Sequence, residues 1–199
     1  MIKKIVLSGG PCGGKTTAIK YVREYFEEKG YIVLSINESA TEIINMGIKP
    51  FGNNKVDMYE FQKYVFSEQI NNEILVDNYI NSNMDKKIIV LYDRCILDNK
   101  CYVSEEEYNM LLEEFEINEE KYLSQFDLFI HLVSAAIGTN EYNLDNQARS
   151  ENIIEAMKRE ENIIKCYSNI SNRIVVDNST NFEGKLKRVR DIIENTLHT

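Results

Sequence analysis

The chain alternates short apolar runs with longer stretches in which apolar residues recur every three or four positions, a pattern that predicts strands separated by helices. Ile5-Val6-Leu7 is an apolar run closed by Gly9-Gly10-Pro11, so it reads as a buried strand entering a turn. Lys15 to Glu28 reads as a helix stopped by Gly30. Tyr31 to Ile36 reads as a second buried strand, with Glu38 just past its carboxyl end. Strand, helix, strand predicts a parallel pair. From Asp57, where Asp57 and Glu60 match a capping box, a long helix is expected to about Ser82, with Phe61, Val65, Ile70 and Ile74 on one side. Ile88 to Tyr92 is a third strand, ending at Asp93-Arg94, and Ser104 to Leu123 is acidic and helical in pattern. Phe126 to Val133 and Arg173 to Val176 supply the fourth and fifth strands, with helices over Gln147 to Ser168 and Phe182 to Leu197. The pattern predicts an α/β sandwich around a parallel five-stranded sheet. No repeat or Pro/Gly/Ser linker divides it, so residues 1–199 are expected to form one domain.

Composition narrows the partners. With 43% hydrophobic residues in 199, the chain has enough apolar side chains for a core. A net charge of −9 argues against a large nucleic-acid or anionic-membrane footprint, because phosphate backbones need clustered Lys and Arg. An anionic ligand must then be held by a local site. The four cysteines, Cys12, Cys95, Cys101 and Cys166, show neither a C-x-x-C pair nor zinc spacing, so they read as reduced thiols of a cytoplasmic protein, with no disulfide or structural zinc expected. No stretch approaches the roughly 18 apolar residues of a membrane span, and no secretion signal is read.

Gly9-Gly10-Pro11-Cys12-Gly13-Gly14-Lys15-Thr16 matches G-x-x-x-x-G-K-[ST], after a buried strand and at the start of a helix, where a P-loop must lie. Glycines let successive N–H groups turn inward around a phosphate, and the helix N-terminus adds partial positive charge. Lys15 is expected on the β- and γ-phosphates of ATP or GTP, and the Thr16 hydroxyl on Mg²⁺. Asp93 ends an apolar strand, which makes it the natural second Mg²⁺ carboxylate; a strand-terminal turn aspartate is the plainer alternative. Cys12 reads as a small tolerated loop residue, or else as a thiol that makes the loop oxidation-sensitive because it lies at a helix N-terminus.

Other groups point to transfer of phosphate to a small-molecule acceptor. Glu38 follows the second strand and suits a base for an acceptor hydroxyl, or else a helix-start glutamate favoured by the dipole. Arg94 suits a phosphate or acceptor clamp, or a surface salt bridge. Residues 134–160 contain a polar lid-like segment followed by Arg149 and Arg159, arginines of the kind that stabilise transferring charge; Arg159, among Lys158, Glu160 and Glu161, reads equally as part of a solvated helix face. Asp177-Asn178-Ser179 follow the fifth strand and either meet the nucleotide base or form a turn capping the last helix. Gln62, Gln69 and Glu73 on the long helix read as solvent-facing positions or as groups facing an acceptor, and neither His131 nor His198 takes a catalytic role.

Gly9 to Thr17, Glu38-Ser39-Ala40-Thr41, Asp93-Arg94 with Leu97-Asp98, His131 to Ala136, Asn146 to Arg149 and Asp177 to Thr180 together resemble the NadR/TTD14-type P-loop ATPase domain. That family is similar to a ribosylnicotinamide kinase domain and, through its Asp-Arg pair, to nucleoside and nucleotide kinases. The resemblance covers nearly the whole chain. It implies a three-layer P-loop NTPase sandwich of nucleotide-kinase type with strand order 2-3-1-4-5, ATP or GTP with Mg²⁺, and a nucleoside-like acceptor. It also implies that Thr17 belongs to the phosphate loop and that Asp93 and Arg94 serve metal and acceptor.

Overall fold

The computed structural model describes residues 1–137 and 153–198. Five strands, β1 (Ile2–Ser8), β2 (Ile32–Ile36), β3 (Ile88–Asp93), β4 (Leu128–Leu132) and β5 (Arg173–Val176), form one all-parallel sheet in the order β2-β3-β1-β4-β5. Helices α1 (Lys15–Glu28), α2 (Ser39–Asn45), α3 (Met58–Asn81), α4 (Glu105–Glu114), α5 (Glu119–Leu123), α6 (Ile153–Cys166) and α7 (Phe182–Thr196) cover it.

The central strands carry continuous apolar runs, Ile5 to Leu7, Ile88 to Leu91 and Leu128 to Ile130, because both faces are covered there, and their side chains alternate between two cores. Ile5, Leu7, Ile89, Leu91 and Ile130 pack with Ala18, Val22 and Phe26 of α1 and with Val189 and Ile193 of α7. Val6, Ile88, Val90, Tyr92 and Phe129 point the other way, onto Phe66 and Ile80 of α3, Tyr108 and Leu111 of α4, and Ile163 of α6. Leu7 is level with Asp93 on β3 and with Ile130 on β4, and Ile36 is level with Tyr92. The carboxyl ends of these strands therefore open on one crevice, the place where open α/β sheets bind ligands.

The predicted strands and long helices are present, and the sheet order is the one the resemblance implied. The differences are local. Ser104 to Leu123 is two helices, because the chain turns between them with Glu116 at φ 54°. Asp57 caps α3 by accepting from Glu60 N at 3.0 Å, but the Glu60 carboxylate accepts from the Tyr64 hydroxyl instead of completing a capping box. Ile74 is exposed, while Gln62, Gln69 and Glu73 are buried, so the solvent-facing reading of these three does not hold; Gln62 and Gln69 line the crevice. Glu38 stands at the start of α2, as its helix-start reading had it, and one element was not expected: a 3-10 turn over Ile96–Cys101 that seals one end of the crevice. The predicted helix start over residues 147–152, most of the lid-like segment, and Arg149 lie outside the described residues.

Candidate functional site

Gly9 to Thr16 runs from the end of β1 into α1, and two of its glycines combine a close approach with a positive φ. A Cβ on Gly9, at φ 134°, would stand 2.2 Å from the Leu132 carbonyl oxygen at the end of β4. Gly14 takes φ 88° directly before α1, and a Cβ there would meet the Phe182 ring at 2.6 Å. Cys12 also takes a left-handed φ of 57°. The Lys15 ammonium donates to Gly9 O at 2.9 Å and Gly10 O at 3.1 Å, and burial, helped by the charge of Arg94, pushes it down to about 8.

From outside the loop, α6 reaches in. Glu160 is fully buried, and its Oε2 accepts from Gly10 N at 2.6 Å. Its Oε1 meets His131 Nε2 at 2.8 Å and Ser134 N at 3.2 Å. A carboxylate only accepts, so Nε2 carries the proton, and Nδ1 faces the Ser8 hydroxyl at 3.3 Å. Burial alone would raise the Glu160 carboxyl, but these donors outweigh it and hold it below its ordinary value. Sequence reasoning weighed a solvated face around Glu160 and gave His131 no catalytic role; no local signal marks the bracing of the loop, because Gly10 and Glu160 are 150 positions apart. Ser134 adds a bond from its hydroxyl to Pro11 O at 2.5 Å.

Across the crevice, Asp93 is 5% exposed and its Oδ2 accepts from the Thr16 hydroxyl at 3.1 Å. Its Oδ1 is buried with no hydrogen-bond partner, and burial pushes the carboxyl up despite Lys15 and Arg94 nearby. An orphaned carboxylate oxygen beside a hydroxyl is a donor set suited to a hard divalent cation, so the residues present fit Mg²⁺. Among the described residues no group of three His, Cys, Asp or Glu side chains could cage a metal.

Arg94 sits at φ 77° and is held at both ends of its guanidinium. Nε donates to Glu38 Oε1 at 2.7 Å and Nη1 to Asp98 Oδ1 at 2.8 Å. Arg94 is thus no surface salt bridge: its side chain is 11% exposed, and that of Asp98 is 4% exposed. The guanidinium holds the Glu38 carboxyl down at about 2, and the Thr41 hydroxyl adds a bond of 2.9 Å. Asp98 is fixed in turn by Tyr167, whose hydroxyl donates to Oδ2 at 2.5 Å.

These groups line one cleft of about 1300 Å³ that runs from Pro11 to Thr17 across to Glu38, Asp93 and Arg94. Its far side carries Gln62, Gln69 and Asn99, all buried, with Asn99 Nδ2 donating to Gln69 Oε1 at 2.9 Å and Asn99 Oδ1 left without a partner. Arg159 also reaches this cleft, 5.9 Å from the centre of the Tyr102 ring. Lys158, Arg159 and Glu161 are exposed, so the solvated face read for Arg159 forms beside the cleft, and of these neighbours Glu160 alone turns inward. Asp177, Asn178 and Ser179 do not line the cleft. Asp177 accepts from Ser179 and Arg188, and Asn178 donates to Ser134 O and Ile137 O, while Phe182 takes the place beside the loop.

A family model described as an AAA domain matches residues 4–185, a span that runs from β1 into α7 and includes every residue of the cleft. No curated protein matches the chain. Loop, sheet order and family match together define a nucleotide-binding P-loop NTPase domain.

Proposed function

The chain belongs to the AAA domain family, and we propose that it is a Mg²⁺-dependent phosphotransferase, a cytoplasmic kinase that moves the terminal phosphate of ATP or GTP to a hydroxyl of a small nucleoside-like acceptor. The observation that carries this reading is the size and lining of the cleft. Pockets of about 300–1,000 Å³ hold one small ligand, whereas this one measures about 1300 Å³ and has a second polar wall of Gln62, Gln69 and Asn99 beyond Asp93 and Arg94. An enzyme that only hydrolyses nucleotide has no need of that wall.

In this reading the inward amides of Gly13 to Thr16 bind the β-phosphate, and Lys15 leaves its loop carbonyls for the β- and γ-oxygens. The Thr16 hydroxyl and Asp93 Oδ1 would hold Mg²⁺, which when bound neutralises charge on the phosphate oxygens. Glu38, ionised at any working pH, orients the acceptor hydroxyl by accepting its hydrogen bond. So weak a base takes the proton only when the oxygen is already losing charge to phosphorus, as a loose transition state allows. Arg94 keeps Glu38 in place, and Arg94, with Arg149 as a further candidate from the sequence, would stabilise the transferring charge. The base would rest beside the loop against Phe182, which offers it an apolar edge, with Asp177, Asn178 and Ser179 outside the cleft lining.

The low basicity of Glu38 favours a second reading, a switch that binds nucleotide and hydrolyses it slowly. Both are tested by incubating the chain with ATP or GTP, Mg²⁺ and a panel of nucleosides that includes ribosylnicotinamide, then measuring diphosphate release and phosphorylated product by mass spectrometry. Release that depends on one acceptor is expected. Release that stays the same across a broad panel overturns the kinase and leaves the switch.

A further inference from the structure

Cys101 closes the 3-10 turn and Cys166 closes α6. The two residues are 65 positions apart in the chain, yet their Sγ atoms lie 3.1 Å apart. Both are half-buried, which leaves a path for a small reagent. A disulfide bond is about 2.05 Å long, so the sulfurs need to close by roughly 1 Å, within reach of small side-chain rotations. Their meeting is held by the packing around it. Tyr167, next to Cys166, donates to Asp98 on the 3-10 turn at 2.5 Å, and the same hydroxyl lies 3.3 Å from Cys95 Sγ.

We propose that Cys101 and Cys166 are a modification site that forms a reversible intrachain disulfide on reaction with a small-molecule disulfide. The Cys166 thiolate attacks one sulfur of the reagent; a mixed disulfide forms on Cys166, and the first thiol leaves and takes up a proton. Cys101 then loses its proton to solvent and attacks the Cys166 sulfur, and the second thiol leaves protonated. Two cysteines are oxidised and one disulfide is reduced to two thiols. Either sulfur could donate across this contact, and the order of attack takes Cys101 as the donor and Cys166 as the thiolate. The hydrogen bond from Cys101 holds the Cys166 thiol below its ordinary value, while the same contact and burial raise Cys101. Cys95 is buried and its thiol is raised by desolvation, so it is inert. The bond would tie the 3-10 turn, which carries Asp98 and Asn99, to α6, which carries Arg159 and Glu160.

The test treats the reduced full chain with oxidised glutathione, blocks free thiols with N-ethylmaleimide in denaturant, and maps the peptides by mass spectrometry. The expected product is a peptide linked between Cys101 and Cys166, lost on adding dithiothreitol, with Cys95 blocked as a free thiol. Cys101→Ser should trap glutathione on Cys166 as a stable adduct, and Cys166→Ser should leave Cys101 free. Two free thiols at Cys101 and Cys166 under conditions that modify Cys12 would overturn the proposal. So would a glutathione adduct that persists on Cys166 in the unaltered chain.

Discussion

The Glu160 carboxylate on α6 accepts a hydrogen bond from the Gly10 amide of the phosphate loop at 2.6 Å, with both groups buried. The loop is therefore shaped by a helix that lies 150 positions away in the chain as well as by its own glycines. Glu160→Ala removes the acceptor for Gly10 N, His131 and Ser134 N. Each buried donor left unpaired costs about 1–3 kcal/mol, so this variant should lose about 3 kcal/mol or more in urea unfolding. Glu160→Gln keeps an acceptor but not the charge, and nucleotide affinity measured by calorimetry should fall by roughly tenfold. An unchanged affinity in the Gln variant would mean that the loop holds its shape without the helix.

Lys15→Ala should abolish most of the thermal stabilisation that ATP or GTP with Mg²⁺ confers. Ligand at about a hundred times its dissociation constant adds about 2.7 kcal/mol of apparent stability, and differential scanning fluorimetry reads its loss. Without nucleotide the variant should be at least as stable as the parent. Burial already pushes the Lys15 ammonium down to about 8, so its removal relieves an unfavourable charge.

Arg94→Ala should be costly even without ligand, because it leaves Asp98 as a buried carboxylate and frees Glu38. Removing one partner of a buried pair costs about 3–5 kcal/mol. Chemical denaturation should show a loss of that order, and the Glu38 carboxyl should return toward its ordinary value, which carboxyl NMR can follow.

Glu38→Gln tests the acceptor role assigned to that carboxylate. Acceptor-dependent turnover should fall at least a hundredfold, on the scale of about 10²–10⁴ for a positioned base, with nucleotide affinity within about twofold, since the phosphate loop is untouched. Unchanged turnover would remove Glu38 from the reaction.

Glu73 should make stability fall as pH rises. Burial pushes its carboxyl up to about 7 against the bond from the Tyr122 hydroxyl at 2.5 Å. Its contribution is fully present below the unfolded value near 4.5 and is lost as pH climbs through the folded value near 7. Glu73→Gln can still accept from Tyr122 and carries no charge to desolvate. Its melting temperature relative to the parent should therefore rise between about pH 4.5 and 7 and level off above; a constant difference across that range would show that Glu73 ionises freely.

The phosphate loop, the strands and Asp93 were legible in the sequence because each rests on neighbours in the chain. Eight consecutive residues make the loop, short apolar runs make the buried strands, and a carboxylate at a strand end faces the crevice once the sheet is parallel. The fold class and single sheet followed from that same local evidence. The bracing of Gly10 by Glu160, the pairing of Arg94 with both Glu38 and Asp98, and the nearness of Cys101 to Cys166 were not legible. The polar helix positions Gln62, Gln69 and Glu73 misled for the same reason. Periodicity says which residues share a helix face, but a polar face is buried or solvated according to what packs against it. Here α3 is covered by the 3-10 turn and α5, so Gln69 meets Asn99 and Glu73 meets Tyr122. Local sequence determined the phosphate end of this protein; only tertiary packing decided the opposite wall of the cleft and what holds the loop in shape, since those contacts join residues whose separation in the chain carries no signal.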